Sequence, residues 1–138
     1  MLPQLDANGN LPPGIHVSTV AEVLKRFGKP GRGRLLRTES LRAFIDQVRH
    51  SVMGLYIDGS YTTTELAPND VDVAPVLPQD FEFVEANTAR LHLIKARFRA
   101  LDIHWRKART AELQSLIDFW SEDRDGRPKG IVFVELQG

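Results

Sequence analysis

The sequence predicts a domain of the α/β or α+β class, in which a small mixed sheet is flanked by helices. Three observations carry this prediction. Apolar residues recur at helical spacing in several segments, short apolar or alternating runs indicate strands between them, and Gly, Pro and Asn-Asp turn signals separate the two. The predicted order is helix, helix, strand, strand, helix, strand, helix, strand.

The predicted elements have locatable ends. Thr19 followed three residues later by Glu22 is a capping-box pattern that begins the first helix, with Ser18 as the alternative cap, and Thr110 is a candidate cap for the last helix. The helices are expected over residues 20–27, 34–52, 87–99 and 110–120. The strands are expected over residues 55–59, 71–76, 101–105 and 131–136.

Bulk composition narrows the class of protein. The 138 residues favour one domain, with residues 1–17 as an extended, Pro- and Gly-containing arm and residues 18–138 as the domain itself. Eighteen basic residues balance eighteen acidic ones, which argues against general nucleic-acid coating. The chain has no cysteine, which excludes disulfides and thiol catalysis and favours a reducing compartment.

The sequence shows no targeting or membrane signal. The N-terminus lacks a basic segment followed by an apolar core, the pattern of a signal peptide. No apolar run approaches the roughly 20 residues that cross a bilayer. We therefore expect a cytoplasmic protein without a membrane partner.

The most informative stretch is an apolar strand that ends in Gly59-Ser60 and is followed ten residues later by Asp70-Val71-Asp72. Alternate positions on a strand face the same side, so Asp70 and Asp72 are expected to project together, about 6–7 Å apart. Such a pair can hold Mg²⁺, and a Gly-Ser turn can approach a phosphate. The pattern indicates a metal-dependent nucleotide site. The alternative is that Asn69-Asp70 forms a turn and Asp72 is a solvated strand residue.

This pattern resembles the nucleotidyltransferase superfamily of polymerase-beta type, in which a Gly-Ser turn contacts the nucleotide phosphates and paired acids bind Mg²⁺. The resemblance implies a nucleotidyltransferase-like fold and a nucleotide-binding role for Gly59 and Ser60. The family's third carboxylate comes from a later strand. The catalytic metal ligands that it implies are Asp70, Asp72 and Asp102.

The chain is still more similar to a small bacterial family of nucleotidyltransferase-like proteins. Three parts of the sequence carry the likeness: residues 11–16, residues 57–60 with 68–72, and residues 123–132. It implies transfer of a nucleoside monophosphate from a triphosphate to a protein or nucleic-acid hydroxyl, with two Mg²⁺ ions as cofactors. One relative in the superfamily is an antitoxin that transfers AMP to its toxin, which implies a partner protein encoded nearby.

One position departs from the resemblance. Close relatives have a basic residue a few positions after the Gly-Ser pair, whereas this chain has three threonines and Glu65. An acid beside a triphosphate is unfavourable by Coulomb repulsion, so the neutralising charge has to come from elsewhere. The candidates are Arg37, Arg42 and Lys95. The alternative is a catalytically silent relative that works as a binding or antitoxin-type protein through protein–protein contacts.

Three further features have two interpretations each. His104 shares the predicted strand face of Asp102, where it is either a base or orienting residue or a structural histidine. Asp58 has a structural turn role as its alternative to a catalytic one. The basic clusters at residues 32–37 and 97–109 indicate either solvated faces or contact with RNA or DNA, a partner that is possible but not favoured.

Overall fold

A computed structural model of the protein describes residues 1–28, 32–65 and 68–136. Residues 29–31, 66–67 and 137–138 of the predicted domain lie outside the described residues, as does the side chain of Arg32. The described strands are β1 Gly14–Ser18, β2 Gly54–Asp58, β3 Asp72–Leu77, β4 Asp102–Ile103, β5 Arg106–Lys107 and β6 Gly130–Glu135. The described helices are α1 Val20–Phe27, α2 Arg32–Val48, α3 Glu85–Arg97 and α4 Ala111–Trp120, and one 3₁₀ turn spans Ser60–Thr62.

The predicted fold class is confirmed, because the described residues form four helices and a six-stranded mixed sheet. The strand order is β1-β6-β2-β3-β4, and β5 also pairs with β3. β1 runs parallel to β6, and β4 and β5 run parallel to β3. β2 is antiparallel to both of its neighbours, β3 and β6.

Helices cover both faces of this sheet. Residues of β3 alternate between two separate cores, so that Val73 belongs to the core beneath α1, α2 and α3, whereas Ala74 belongs to the core beneath α4. The first core is the larger. Four α2 residues at helical spacing enter it almost without solvent exposure, and burying each one contributes about 1.5–3 kcal/mol: Leu41, Phe44, Ile45 and Val48.

The predicted caps Thr19 and Thr110 agree with the structure, although the carboxylate of Glu22 binds Ser18 Oγ and Leu2 N, contacts that do not belong to a capping box. One predicted helix end does not agree. Thr19 Oγ1 accepts a hydrogen bond from Glu22 N at 3.1 Å, and Thr110 caps α4 in the same way. α2 ends at Val48 instead of continuing to residue 52. Val52 is fully buried although it lies in a turn, so its apolar character extended the helical pattern beyond the true end of the helix.

Only Asp102–Ile103 of the predicted strand 101–105 is a strand, and a second short strand begins just beyond the predicted range. β4 and β5 both pair with β3 but are separated by His104 and Trp105. The ring of Trp105 packs near that of Phe44, with 6.0 Å between centroids, in the core on the α2 side. The alternating pattern predicted a continuous strand because Trp105 is apolar at the expected position. In the structure Trp105 lies between the two strands and packs against Phe44.

The predicted arm of residues 1–17 supplies most of β1, which pairs in parallel with β6 from Gly14 opposite Gly130 to Ser18 opposite Val134. A matching turn precedes each of these strands. Asp6 Oδ1 accepts hydrogen bonds from the backbone N–H groups two and four residues later, and so does Asp123 Oδ1. The two turns therefore have the same hydrogen-bond pattern and lead into neighbouring strands.

These two turns also contact each other. Asn10 Nδ2 donates a hydrogen bond to Asp123 Oδ2 at 3.2 Å, and Arg127 Nη1 donates one to Asn8 Oδ1 at 2.9 Å. The backbone of Gly9 accepts a further bond from Thr64 N at 3.1 Å. The N-terminal turn thus joins the turn before β6 to the loop that follows β2.

Candidate functional site

Three carboxylates form a row across adjacent strands at one end of the sheet. Asp58 at the end of β2 is the register partner of Asp72 at the start of β3, and Asp72 is the register partner of Asp102 at the start of β4. Register partners on neighbouring strands point to the same face, with backbones about 4.8 Å apart. We call Asp58, Asp72 and Asp102 the acidic row.

The acidic row lies on the face that α4 covers. Asp72 is two residues before Ala74, which packs under α4, so both side chains share that face. His104 follows on the same side, and its Nε2 lies 3.7 Å from Asp72 Oδ1. The ring of His104 meets Trp120 of α4 edge-on, with 5.5 Å between centroids. The sequence predicted His104 on the same face as Asp102, and in the structure its ring approaches Asp72.

Asp70 has a different position from the one that strand alternation predicts, because β3 begins only at Asp72. Its Oδ1 accepts hydrogen bonds from Ser60 N at 2.8 Å and from Ser60 Oγ at 2.5 Å. Partial burial acts to raise the pKa of Asp70, but the Ser60 bonds and the charge of Arg124 outweigh it and lower that pKa. Asp70 therefore fixes the Gly-Ser turn and stays ionised.

The Gly59-Ser60 turn lies directly against the acidic row. Gly59 has φ +89°, and a Cβ placed there would lie 2.9 Å from Asp72 Oδ2. The turn's own donors are used within the loop, because Ser60 N and Oγ bind Asp70 and Thr62 N binds Gly59 O. A phosphate contact through Ser60 therefore requires the Ser60–Asp70 bonds to open.

Asp58 is buried and forms an ion pair with Lys129 Nζ, a contact that the sequence did not predict. Burial raises the pKa of Asp58 to about 6, with the Asp72 charge acting in the same direction and Lys129 opposing both. Lys129 is the residue before β6, and the antiparallel pairing of β6 with β2 brings it alongside the end of β2. The sequence signal that could have pointed to Lys129 is its position in the segment 123–132, which carries part of the family resemblance.

The loop after Ser60 is fixed by a second missed residue, Arg34. Its guanidinium is buried and donates hydrogen bonds to backbone carbonyls, two to Glu65 and one to each of three others: Phe27, Tyr61 and Thr63. The side chain of Glu65 remains exposed. Arg34 thus orders the loop that lacks the basic residue of the resemblance.

The three cations proposed from the sequence are placed differently. Arg37 lies closest to the site, because its Nη2 donates to the backbone carbonyl of Asn69 at 3.2 Å, next to Asp70. Arg42 acts on Tyr61 through its charge. Lys95 lies on α3, whose core residue Leu91 belongs to the face opposite the acidic row. The turn 123–129 instead brings Arg124 and Lys129 to Asp70 and Asp58.

The donors suit a partial metal site better than a complete cage. Within residues 1–28, 32–65 and 68–136, no group of three or more His, Asp or Glu side chains is arranged to hold a metal ion. Asp72 and Asp102 form the closest approach to one, as an in-register pair of half-exposed and exposed carboxylates. Mg²⁺ commonly takes only one or two carboxylates and completes its shell with water and substrate phosphates.

The fold and this site define a mixed α/β domain with acids, a Gly-Ser turn and two cations at one sheet end. The chain belongs to a family described as "Family of unknown function (DUF6932)", whose model matches residues 3–135. No curated protein and no solved structure matches the chain. All residues of the acidic row, the Gly-Ser turn and the turn 123–129 lie inside the matched range. No helix in the described chain combines the length and apolarity that crossing a membrane requires.

Proposed function

We propose that this protein is a Mg²⁺-dependent, nucleotidyltransferase-like protein of the cytoplasm. It transfers a nucleoside monophosphate from a nucleoside triphosphate to a hydroxyl of a protein or nucleic acid. The observation that supports the proposal best is the register of Asp72 and Asp102 on adjacent parallel strands beside the Gly59-Ser60 turn. The resemblance implies a Gly-Ser turn with paired acids and a third acid from a later strand, and Asp72 and Asp102 are two of the three acids that it assigns in this chain.

Asp72 and Asp102 are the residues that would hold Mg²⁺. Bound there, the ion supplies charge neutralisation of the phosphates and alignment of the reacting oxygens. Asp70 contributes by holding Ser60, and its lowered pKa keeps it available as a third acid through the oxygen that Ser60 leaves free. His104, 3.7 Å from Asp72, orients that carboxylate or accepts a proton from the incoming hydroxyl.

A protein hydroxyl is the acceptor that we favour. The full sequence has balanced charge, and Arg34 and Arg127 are engaged in structural contacts. A nucleic-acid acceptor would call for a contiguous basic surface and steep salt dependence. A partner protein encoded nearby, as in an antitoxin-type pair, remains our proposed target.

The first test is isothermal titration of ATP, GTP, CTP and UTP with and without Mg²⁺. We expect Mg²⁺-dependent binding of at least one nucleotide by the wild type and its loss in Asp72→Asn and in Asp102→Asn. Asp80→Asn, an exposed acid in the turn before α3, is the matched control and keeps binding. A folded wild type that binds none of the four nucleotides would overturn the proposed activity.

A second candidate function is a catalytically silent binding protein. The observation that favours it is the occupation of Ser60 N and Oγ by Asp70, which closes the turn to a phosphate in this conformation. On this alternative, the Asp72→Asn/Asp102→Asn double variant retains partner binding and biological effect. Loss of both in a variant that still folds excludes the silent alternative.

A further inference from the structure

The site lacks a basic residue after its Gly-Ser turn, yet two cations reach it from another part of the chain. Lys129 pairs with Asp58, whose register partner is Asp72. Arg124 acts through its charge on Asp70. Both cations belong to one turn, residues 123–129, and neither lies in the loop that contains Glu65.

We propose that Lys129 is the residue that binds the triphosphate in this site. Lys129 is positioned by the turn 123–129, which we call the carrier turn, and in the absence of nucleotide its ammonium is paired with Asp58. This inference rests on the function proposed above and names the cation that the function needs. Lys129 would bind a phosphate oxygen through the N–H groups that Asp58 does not use, while Arg124 extends the positive field towards Asp70. The ligand class is the triphosphate of a nucleotide.

The position of Lys129 supports this assignment. Its side chain is 12% exposed, and it enters β6 beside the end of β2, where Gly59 begins the turn. A lysine ammonium carries three donors and acts as a compact charge, so Asp58 need not use all of its capacity.

The carrier turn is fixed from both sides. The Lys129 backbone N–H donates to Ser121 O at 2.8 Å, and Asp123 accepts hydrogen bonds from the turn's own backbone. The N-terminal turn then holds it through Asn10 and Asn8. Arg127 is used entirely in this scaffold, since it binds Asp123, Asp125 and Asn8. The basic residues of the turn therefore have two roles: Arg127 stabilises the turn, whereas Arg124 and Lys129 act on the acids.

Simple removal of Lys129 is a poor test, because it leaves Asp58 buried without a partner. The informative comparison is Asp58→Asn with Asp58→Asn/Lys129→Met, since both keep the buried position neutral. Lys107→Met is the matched lysine control, because Lys107 pairs with Leu77 at the far end of β3, roughly 16 Å along the strand from Asp72. Thermal unfolding establishes that each variant folds.

The experiment titrates full-length protein with Mg²⁺ and two probes, the nucleotide that the wild type binds and inorganic triphosphate. Asp58→Asn frees Lys129 and is expected to tighten the binding of both probes. The double variant is expected to bind both at least about tenfold more weakly than Asp58→Asn, the loss of one charged hydrogen bond. Lys107→Met matches the wild type.

The outcomes separate this inference from the proposed function. Equal affinity of Asp58→Asn and the double variant, with wild-type nucleotide binding intact, overturns the role of Lys129 and leaves the proposed function standing. Absence of binding of either probe to the folded wild type overturns the proposed function and this inference with it. If only the double variant binds the probes weakly, and the wild type, Asp58→Asn and Lys107→Met bind them well, the result supports both this inference and the proposed function.

Discussion

At the scale of single residues, the site is built by side chains whose roles depend on distant partners. Asp70 is a metal ligand by sequence pattern, but in the structure it anchors Ser60. Asp58 looks like a turn residue and is a buried acid paired with Lys129, 71 positions away along the chain. Local spacing singled out these acids, and long-range pairing determines the contacts that each one makes.

Gly59 gives a residue-scale prediction with an internal control. Its backbone has φ +89° and ψ −177°, a region that is essentially restricted to glycine, and an added Cβ would meet Asp72 Oδ2 at 2.9 Å. Gly126 also has positive φ, but an added Cβ there meets nothing within 4 Å. We expect Gly126→Ala to cost about 1 kcal/mol of unfolding free energy and Gly59→Ala about 2–3 kcal/mol.

Urea unfolding of the two alanine variants measures this difference. The excess for Gly59→Ala reports two costs together: a backbone conformation that only glycine adopts readily, and the contacts of the added Cβ with Asp72 and with the carbonyl of Asp70. Equal destabilisation of the two variants would contradict the close packing of the Gly-Ser turn against the acidic row. The Gly59→Ala variant should also displace Asp72, so its Mg²⁺-dependent nucleotide binding should weaken where that of Gly126→Ala does not.

At the scale of elements, the sequence predicted what local chemistry determines. The start of α1 at the Thr19 cap and the start of α4 at Thr110 follow from side-chain hydrogen bonds within three residues. β2, β3 and β6 lie within one residue of their predicted bounds. The pairing of β1 with β6 joins segments over 100 residues apart, and no local pattern reveals such a contact.

The candidate site was likewise predictable only where local sequence determines it. Gly59, Ser60, Asp72 and Asp102 could be proposed from spacing and resemblance, and the structure brings them to one end of the sheet. Lys129 could not be, because its role depends on the β2–β6 register. Arg34 was hidden for a similar reason, since its partners are backbone carbonyls of a loop that has no distinctive sequence.

The paired turns before β1 and β6 give an element-scale prediction. Asp6 and Asp123 make the same two backbone hydrogen bonds, but only Asp123 also receives side-chain bonds from Asn10 and Arg127. Loss of a turn-capping carboxylate costs about 1 kcal/mol. We therefore expect Asp6→Ala to lower the unfolding free energy by about 1 kcal/mol and Asp123→Ala by clearly more.

Denaturant unfolding compares the two variants directly, and limited proteolysis locates the effect. In Asp123→Ala, cleavage should increase within residues 123–129, whereas in Asp6→Ala it should increase near the N-terminus. A larger loss for Asp6→Ala would mean that the N-terminal turn, and not the turn before β6, is the main support of this end of the sheet.

At the scale of the whole molecule, the N-terminal segment is fastened at two places by carboxylates. Near α1, Glu22 accepts hydrogen bonds from Ser18 Oγ and from the backbone N–H of Leu2. At the other end of the segment, Asp123 binds its own turn and Asn10. Both fastenings need the ionised acid, so the attachment of the segment, and with it the carrier turn of Lys129, depends on pH.

The direction of that dependence follows from the pKa values of the two acids. Hydrogen bonds from Ser18 and Leu2 lower the pKa of Glu22, and hydrogen bonds from the backbone and side chain of Arg127 lower the pKa of Asp123. An acid whose pKa is lower in the folded state binds fewer protons there than in the unfolded state. The stability that it contributes is fully present above its ordinary pKa, near 4, and is lost as the pH falls through the lowered value.

We therefore expect the unfolding free energy to decrease as the pH falls below about 4, and expect this decrease to be shallower in Glu22→Gln/Asp123→Asn. Urea unfolding at a series of pH values between 7 and 2.5 measures both slopes. Glu39→Gln/Asp80→Asn is the control, because both acids are exposed, and it should keep the wild-type slope. If the double variant keeps the wild-type slope as well, acids elsewhere control the loss of stability, and the two fastenings of the N-terminal segment contribute nothing measurable to it.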